Sequence, residues 1–212
     1  MESELASCAG LKGNDHAKAT TMPLLQAVNA EVLRLHVGIG MTRVNETVDM
    51  NLGGYRITRG QPLLIFSRLS ALNDEAWMRA GRSPENTGCL KEFHAGRFSY
   101  QRKTKRRGPG RGGGGGGGGG RSSAGSHGMR YSMDGLAGLW LSYGGGQRMC
   151  PGRYFAKTEM ISMFSILFSQ YELELLDVLG SVEVKADLRW FPTGGLAPDR
   201  KVPFRVRRRR SI

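Results

Sequence analysis

The chain has 212 residues, which is enough for one domain with a real core or for two small ones. Its formal net charge is +13. Fourteen of the basic side chains lie in two stretches without acids, residues 101–121 and 200–210, and without them the net charge is −1. The basicity therefore belongs to a linker and a tail, which argues against a general nucleic-acid-binding fold.

The three cysteines, Cys8, Cys89 and Cys150, are odd in number and far apart. Because no C-x-x-C pair occurs, the spacing disfavours a zinc site and, more strongly, a disulfide scaffold. A reducing, intracellular compartment fits this pattern best. The N-terminal residues are polar, and we expect neither a signal peptide nor a membrane-spanning segment.

The first half of the chain predicts a loose leader over residues 1–20, then one helix and several short strands. Pro23 suits the first turn of that helix, MPLLQAVNAEVLRLH. The segment GGYRITRGQPLLIFSRL is typical of short strands separated by glycine turns. A long meander follows, with Trp77, Phe93 and Phe98 as expected anchors. The apolar residues at helical spacing predict one buried helix face; they are Leu24, Leu25, Val28, Val32 and Leu35.

Residues 101–128 predict a disordered basic linker, because a run of nine glycines cannot offset its own ordering entropy. A helix is predicted over residues 153–169. The segments YELELL, VEVKADL and VPFRVRR are strand-like, and the turn-rich FPTGGLAPD predicts antiparallel pairing of the last two. The chain thus divides into a leader (1–20), a first unit (21–100), the linker (101–128) and a second unit (129–212).

The loop SYGGGQRMCPGRYFAK, residues 142–157, places Cys150 among glycines and just before a predicted helix. Four roles are open for this cysteine. Free cysteine is often a buried structural thiol. Half of a zinc knuckle would need neighbouring ligands, and the nearest are His127 and Cys89. A phosphate loop needs the lysine and hydroxyl of G-x-x-x-x-G-K-[ST], which GGGQRMCPG lacks. The fourth role is an axial thiolate for haem iron.

The spacing around Cys150 favours the fourth role. Tyr143 lies seven residues before the cysteine, Gly146 four before, Arg148 two before and Gly152 two after. This resembles the haem-loop signature of the cytochrome P450 family, F-x-x-G-x-R-x-C-x-G, with Tyr143 at the aromatic position. The continuation CPGRYFAK resembles fungal and sterol-type members. The resemblance implies that Cys150 is the axial ligand of haem b, that Arg148 reaches a haem propionate, and that the other three residues shape the cofactor site.

The chemistry of such a loop is coherent. The start of the following helix offers unpaired N–H groups and the positive end of the helix dipole, which favour a thiolate. Glycines let the backbone approach the sulfur closely, and thiolate ligation favours O–O cleavage. The hydroxyl of Tyr143 departs from the family's phenylalanine. It needs a partner near the sulfur, and it would either tune the potential or weaken packing.

Glu31 and Arg34 stand at i, i+3 on one helix face, a spacing that usually marks an exposed surface pair. The pair also resembles the family's E-x-x-R helix. Downstream, EFHAGRF stands in place of the family's Pro-Glu-Arg-Phe segment, although Ala95 and Gly96 replace the proline and the glutamate. The resemblance implies a buried triad of Glu31, Arg34 and Arg97, which would specify geometry more than add stability.

Arg43 lies in GIGMTRVNETVDMNLGGYRI, which resembles the family strand that leads into GGYxIPkG. The family places a propionate-binding arginine near this point, so Arg43 is a second candidate for that role. A solvated loop arginine is the alternative.

The resemblance covers residues 21–100 and 130–210 and implies the C-terminal portion of the P450 fold, mainly α with small antiparallel β elements (α+β). It implies a monooxygenase that oxidises a small lipophilic or secondary-metabolite substrate with O₂ and electrons from an NADPH-dependent reductase. The expected location is the cytoplasm or the cytoplasmic face of the endoplasmic reticulum.

Two alternatives to this function remain. The sequence contains no A-G-x-[DE]-T oxygen-activating motif, so one alternative is a truncated, catalytically inactive relative. The other is an RNA- or anion-binding role for the basic glycine tract. That role is disfavoured because only one R-G-G occurs and no aromatic residues are interleaved to stack on bases.

Overall fold

Helices and short antiparallel strands make up the computed structural model of this protein, which describes residues 16–82, 88–101, 129–178, 180, 184–191 and 193–209. This combination confirms the fold class, mainly α with small antiparallel β elements. No helix in these ranges is both long and apolar enough to cross a membrane. The helices are α1 (His16–Ala19), α2 (Pro23–His36), α3 (Ser67–Ala71), α4 (Asp74–Arg79) and α5 (Arg153–Gln170).

The described strands pair in one three-stranded sheet, β4-β1-β8, and in three two-stranded ribbons, β2-β3, β5-β6 and β7-β9. In the sheet, Gly40 of β1 lies opposite Phe66 of β4, and Val37 of β1 lies opposite Gly195 of β8. The strands are β1 (Val37–Val44), β2 (Met50–Leu52), β3 (Tyr55–Ile57), β4 (Pro62–Phe66), β5 (Ser99–Gln101), β6 (Met129–Tyr131), β7 (Tyr171–Leu175), β8 (Thr193–Gly195) and β9 (Phe204–Arg208).

The main hydrophobic core lies where α2, α4 and the 3₁₀ turn Ala95–Phe98 meet. Ala27 and Ala30 of α2 are small enough for two aromatic rings to lie nearby, those of Trp77 and Phe98. These two rings meet edge to face, with their centroids 6.1 Å apart, an arrangement that aromatic pairs prefer. The helix that carries the candidate triad is therefore fixed from the side of its alanines.

Two of the five apolar residues predicted to form the buried face of α2 are not buried. Val32 is 38% exposed and Val28 is half-buried, so this part of the prediction was wrong. The burial of α2 is decided by the Ala95–Phe98 turn and by β6, which pack against it. The valines instead line an apolar groove beside α5.

The predicted leader ends earlier than residue 20. Residues 16–19 form α1, and Ala19 is fully buried in a second hydrophobic cluster with Leu25 and Ile161. The burial of α1 results from its packing against α5. The polar sequence of the leader alone does not indicate that contact. The remainder of the leader, residues 1–15, lies outside the described residues, as do residues 102–128 of the predicted linker.

The expected anchor Phe93 is 53% exposed and does not anchor the meander. The backbone on both sides of it faces inward, because the carbonyl of Glu92 accepts from Arg34 and Arg97 and the N–H of His94 donates to Glu31. The ring of Phe93 is consequently left on the outside of the turn.

The predicted pairing of VEVKADL with VPFRVRR was wrong. The described part of the first segment, residues 184–188, contains only an isolated bridge from Ala186 to Pro198, and β9 pairs instead with β7. The segment between them supplies β8, which joins β1. In the β7-β9 ribbon, Glu172 lies opposite Arg207 and Glu174 opposite Arg205, so opposite charges support this register.

We predict that Gly38→Ala destabilises the fold while Gly195→Ala does not. A Cβ on Gly38 would lie 2.6 Å from Cδ2 of Phe191, and that ring already contacts Phe66 at a centroid distance of 5.7 Å. Overpacking of this kind costs about 1–3 kcal/mol in the free energy of unfolding. Denaturant titration followed by circular dichroism measures it. Gly195, on the strand paired with β1, has open space at its Cβ position, and equal losses in both variants would contradict the prediction.

Candidate functional site

The loop between β6 and α5 folds back on itself so that Cys150 lies just before the first residue of α5. The N–H of Cys150 donates to the carbonyl of Tyr143 at 2.9 Å. Gly144 and Gly146 make this possible, because their φ angles of +82° and +71° are ones that other residues rarely adopt. The thiol of Cys150 is free and exposed. Of the four roles considered, a buried structural thiol is thus the one that this placement does not match.

Arg43 ties this cysteine loop to the central strand β1. Its guanidinium donates to the carbonyl of Gly145 at 2.8 Å and to the carbonyl of Thr42 at 2.9 Å. The two segments are 102 positions apart in the sequence, and the bond between them is partly buried. The alternative of a free, solvated loop arginine is therefore not what the structure shows for Arg43.

Arg148 and Gly152, the other residues of the predicted signature, lie on the exposed side of the loop. A Cβ on Gly152 would meet the sulfur of Cys150 at 3.9 Å, an ordinary contact, so steric exclusion does not require glycine there. The exposed guanidinium of Arg148 is available to an anionic group next to the thiol.

Tyr143 fills the aromatic position of the loop with a half-buried ring. The ring meets that of Trp140 at a centroid distance of 5.7 Å and an interplanar angle of 68°. Its hydroxyl oxygen is buried and has no hydrogen-bond partner. Burial raises the pKa of Tyr143, and the negative charge that Cys150 can carry raises it further. The hydroxyl therefore keeps its proton beside the cysteine.

The predicted triad of Glu31, Arg34 and Arg97 is brought together with none of its side chains exposed to solvent. Arg34 Nε donates to Oε2 of Glu31 at 2.6 Å, and Arg97 Nε donates to Oε1 at 2.8 Å. The backbone N–H of His94 also donates to Oε1, at 2.9 Å. Local spacing alone would make Glu31 and Arg34 a surface pair, so the arrival of Arg97 from 63 positions beyond Arg34 is what makes the site.

The remaining donors of the triad are satisfied by backbone carbonyls. Arg97 Nη2 donates to the carbonyls of Cys89 and Glu92, each at 3.0 Å, and Arg34 Nη1 donates to that of Ala71, also at 3.0 Å. Burial lowers the pKa of Arg97, and the carboxylate of Glu31 opposes that change. A guanidinium stays charged even so. A buried carboxylate shared in this way is tolerable because each charge has a partner.

Two side-chain interactions near the site were not predicted from the sequence. Trp140 Nε1 donates to the carbonyl of Ala30 at 2.9 Å, which joins the approach to the cysteine loop to the helix of the triad. Lys157 Nζ contacts Oε1 of Gln26 at 2.6 Å and lies 4.9 Å from the ring centroid of Tyr131. A buried indole N–H needs an acceptor, and that need was a usable signal for Trp140. Nothing in the sequence marks Lys157 and Gln26 as partners.

These features define a mixed α and β protein with a fully buried ionic triad. The helix that carries the triad is hydrogen-bonded to Trp140, shortly before the cysteine loop. The family model described as Cytochrome P450 matches residues 2–183. The chain therefore belongs to the cytochrome P450 family, which confirms the resemblance drawn from the motifs. Haem iron is the cofactor of this family.

Curated relatives point the same way. The chain is 33% identical over 192 residues to the cytochrome P450 monooxygenase efuG of Hormonema carpetanum, covering 90% of this chain and 32% of that protein. It is 34% identical over 202 residues to the monooxygenase fsoE of Humicola fuscoatra, covering 93% and 33%, and 28% identical over 216 residues to calL of Penicillium decumbens, covering 97% and 34%. The chain thus spans about a third of the length of the curated relatives it matches.

The residues of the cysteine loop fit a haem group. Thiolate haem sites use one cysteine sulfur on the iron, and Cys150 offers a free, exposed thiol where a long helix begins. Propionates need basic partners with a planar fork, and Arg43 and Arg148 belong to or contact the same loop. This donor set matches the chemistry of the cofactor.

We predict that Glu31→Gln lowers the free energy of unfolding by about 3–5 kcal/mol, because it leaves two buried guanidinium groups without a counter-charge. Glu75→Gln is the matched control. Its carboxylate lies the same 2.6 Å from Arg79, but both side chains are 73% exposed, so the loss there is below about 1 kcal/mol. Guanidinium chloride titration measures both, and a Glu31→Gln variant as stable as the control would contradict the prediction.

Proposed function

We propose that this chain is the haem-binding part of a cytochrome P450 monooxygenase, with Cys150 as the axial thiolate. The observation that supports the proposal is the placement of the free, exposed thiol of Cys150 at the start of the 18-residue helix α5. When bound, haem supplies the activation of dioxygen with electrons delivered by a reductase. The residues of this chain bind and orient that group.

The loop holds the sulfur in one place. The bond from the N–H of Cys150 to the carbonyl of Tyr143 closes the loop, and the partial positive charge at the start of α5 favours a negative sulfur. Gly144 and Gly146 supply the positive φ angles that this fold of the loop requires. In this proposal, Gly146 and Gly152 shape the cofactor site through their backbone alone.

The two arginines divide the work of placing the cofactor's carboxylates. We assign Arg148 to a propionate because its guanidinium is exposed on the loop itself. The guanidinium of Arg43 donates to the carbonyls of Gly145 and Thr42. Since a guanidinium carries five N–H groups, Arg43 has donors left for a propionate while it holds the loop against β1. The triad of Glu31, Arg34 and Arg97 fixes α2, and Ala30 of α2 accepts the hydrogen bond from Trp140 that joins it to the approach to the loop.

The working protein, in this proposal, oxidises a small lipophilic or secondary-metabolite substrate and receives electrons from an NADPH-dependent reductase, in the cytoplasm or at the cytoplasmic face of the endoplasmic reticulum. Support comes from the family and from its fungal monooxygenase relatives. We further propose that residues 21–100 and 129–212 act as one unit. The contacts of α2 with β6 and with α5 support this.

A second candidate function is that of a truncated, catalytically inactive relative. Phe155 and Met163 of α5 are 73% and 56% exposed, whereas Leu24 of α2 is buried. Large exposed apolar side chains of this kind leave a substrate cavity incomplete within the described residues. Turnover assays on haem-loaded protein separate the two candidates. The basic tract proposed as an RNA- or anion-binding arm lies outside the described residues.

We predict that the haem-loaded chain, when reduced and treated with carbon monoxide, shows the Soret band characteristic of thiolate ligation. Cys150→Ala abolishes that band because it removes the sulfur that we propose as the ligand. Cys89→Ala, which removes the other exposed free thiol of the described residues, leaves it unchanged. Purified chain that stays colourless with hemin, or a band that survives Cys150→Ala, would refute the proposal.

We also predict that Arg43→Ala weakens haem retention by about tenfold, since the loss of one charge-assisted hydrogen bond costs on the order of 1.5 kcal/mol or more. Arg59→Ala is the control, because this arginine is exposed and only its backbone N–H contacts Asp49. Transfer of haem to an excess of apomyoglobin, followed at the Soret band, measures retention. Equal transfer rates for the two variants would contradict the assigned role of Arg43.

A further inference from the structure

The hydroxyl of Tyr143 is a buried donor without an acceptor among the described residues. Its oxygen is inaccessible to solvent there and makes no hydrogen bond with them. A buried polar group left unpaired is costly, and native structures seldom keep one without a use. A phenylalanine, which the family's signature carries at this position, would fill the same space without that cost. The extra oxygen therefore needs a partner that the described residues, without a cofactor, do not supply.

The surroundings of the ring restrict where that partner can be. One side of Tyr143 is occupied by the Trp140 ring at a centroid distance of 5.7 Å. Its backbone carbonyl accepts from the N–H of Cys150 at 2.9 Å, so tyrosine and cysteine are held together by the closure of the loop. Burial raises the pKa of Tyr143, and the charge that Cys150 can carry raises it further. A neutral phenol hydroxyl donates one hydrogen bond, and a negative sulfur is an acceptor for it.

We propose that Tyr143 is a positioning residue whose hydroxyl donates a hydrogen bond to the sulfur of Cys150 once that sulfur is a thiolate bound to iron. This inference rests on the proposed function, since it requires Cys150 to be the axial ligand. Tyr143 would thus act on the sulfur, whereas Arg43 and Arg148 would bind the haem carboxylates.

Such a bond has a defined electronic consequence. Hydrogen bonds to a metal-bound sulfur withdraw electron density from it, which weakens the iron–sulfur bond and stabilises the reduced iron. Tyrosine at position 143 should therefore give a more positive reduction potential than phenylalanine. A tyrosine that merely fills space would leave the potential unchanged.

The test compares Tyr143→Phe with the unaltered chain, both loaded with haem. The midpoint potential is measured by spectroelectrochemistry and the iron–sulfur stretching frequency by resonance Raman spectroscopy. We expect the variant to have a more negative potential and a higher stretching frequency. Tyr131→Phe is the matched control. It removes another hydroxyl, whose pKa is raised to about 12 by burial and further by the charge that Tyr143, not Cys150, can carry. This control should change neither quantity.

Thermal unfolding of the haem-free chain gives a second readout. Because the hydroxyl has no partner among the described residues, Tyr143→Phe should be at least as stable as the unaltered chain without haem. A haem-free variant that is less stable would show that the hydroxyl serves the protein core, and this would overturn the inference.

The failures of this inference and of the proposed function can be told apart. Equal potentials and equal stretching frequencies in the haem-loaded chain and its Tyr143→Phe variant, with the thiolate Soret band present in both, overturn only the role of Tyr143. The same shift in Tyr131→Phe also overturns it, since a general effect of removing a hydroxyl would then suffice. Protein that takes up no haem overturns the proposed function and this inference together.

Discussion

The carboxylate of Glu31 organises the described structure, because two segments that are far apart in the sequence meet at its two oxygens. It accepts from Arg34 on its own helix, from Arg97 on the Ala95–Phe98 turn and from the backbone of His94. All three charged side chains are withdrawn from solvent. A buried charge is tolerated only with complete pairing, so the segment around residues 88–98 must approach α2 in one arrangement.

The effect of that constraint reaches the cysteine loop through neighbouring bonds. Ala30, adjacent to Glu31, accepts from the indole of Trp140, and Arg43 on the strand that follows α2 holds Gly145. The loop around Cys150 is therefore fixed by residues from an earlier part of the chain. Preorganisation of this kind is what a metal ligand needs, since the sulfur must be in place before the cofactor arrives.

The described residues build the cysteine loop that we propose as the thiolate side of a haem site, and they leave other apolar surfaces open. Helix α5 packs on α1 and α2 with Ile161, yet it exposes Phe155 and Met163. Large apolar side chains left exposed on this helix are consistent with a chain that spans about a third of the length of its curated relatives. The polar machinery of the site, by contrast, is satisfied almost completely by the described residues, with the hydroxyl of Tyr143 as the exception that matters chemically.

Features set by neighbouring residues could be predicted from the sequence. Local spacing and backbone preferences are enough to predict α2, α5 and the glycine loop before Cys150. The triad was different, since the spacing of Glu31 and Arg34 is equally typical of an exposed pair. Only the family's motif pointed to Arg97 as their partner, and its position in the structure matches that expectation.

Other features were decided by contacts between distant parts of the chain. β9 pairs with β7 rather than with the segment before β8, Phe93 turns outward, and Arg43 finds Gly145. The sequence by itself determined the fold class, the two long helices and the loop that presents a single cysteine, because these depend on local patterns. Tertiary structure alone decided which strands pair, which side of α2 is buried and which donors remain unsatisfied, because those outcomes depend on residues that are far apart in the chain and compete for the same partners.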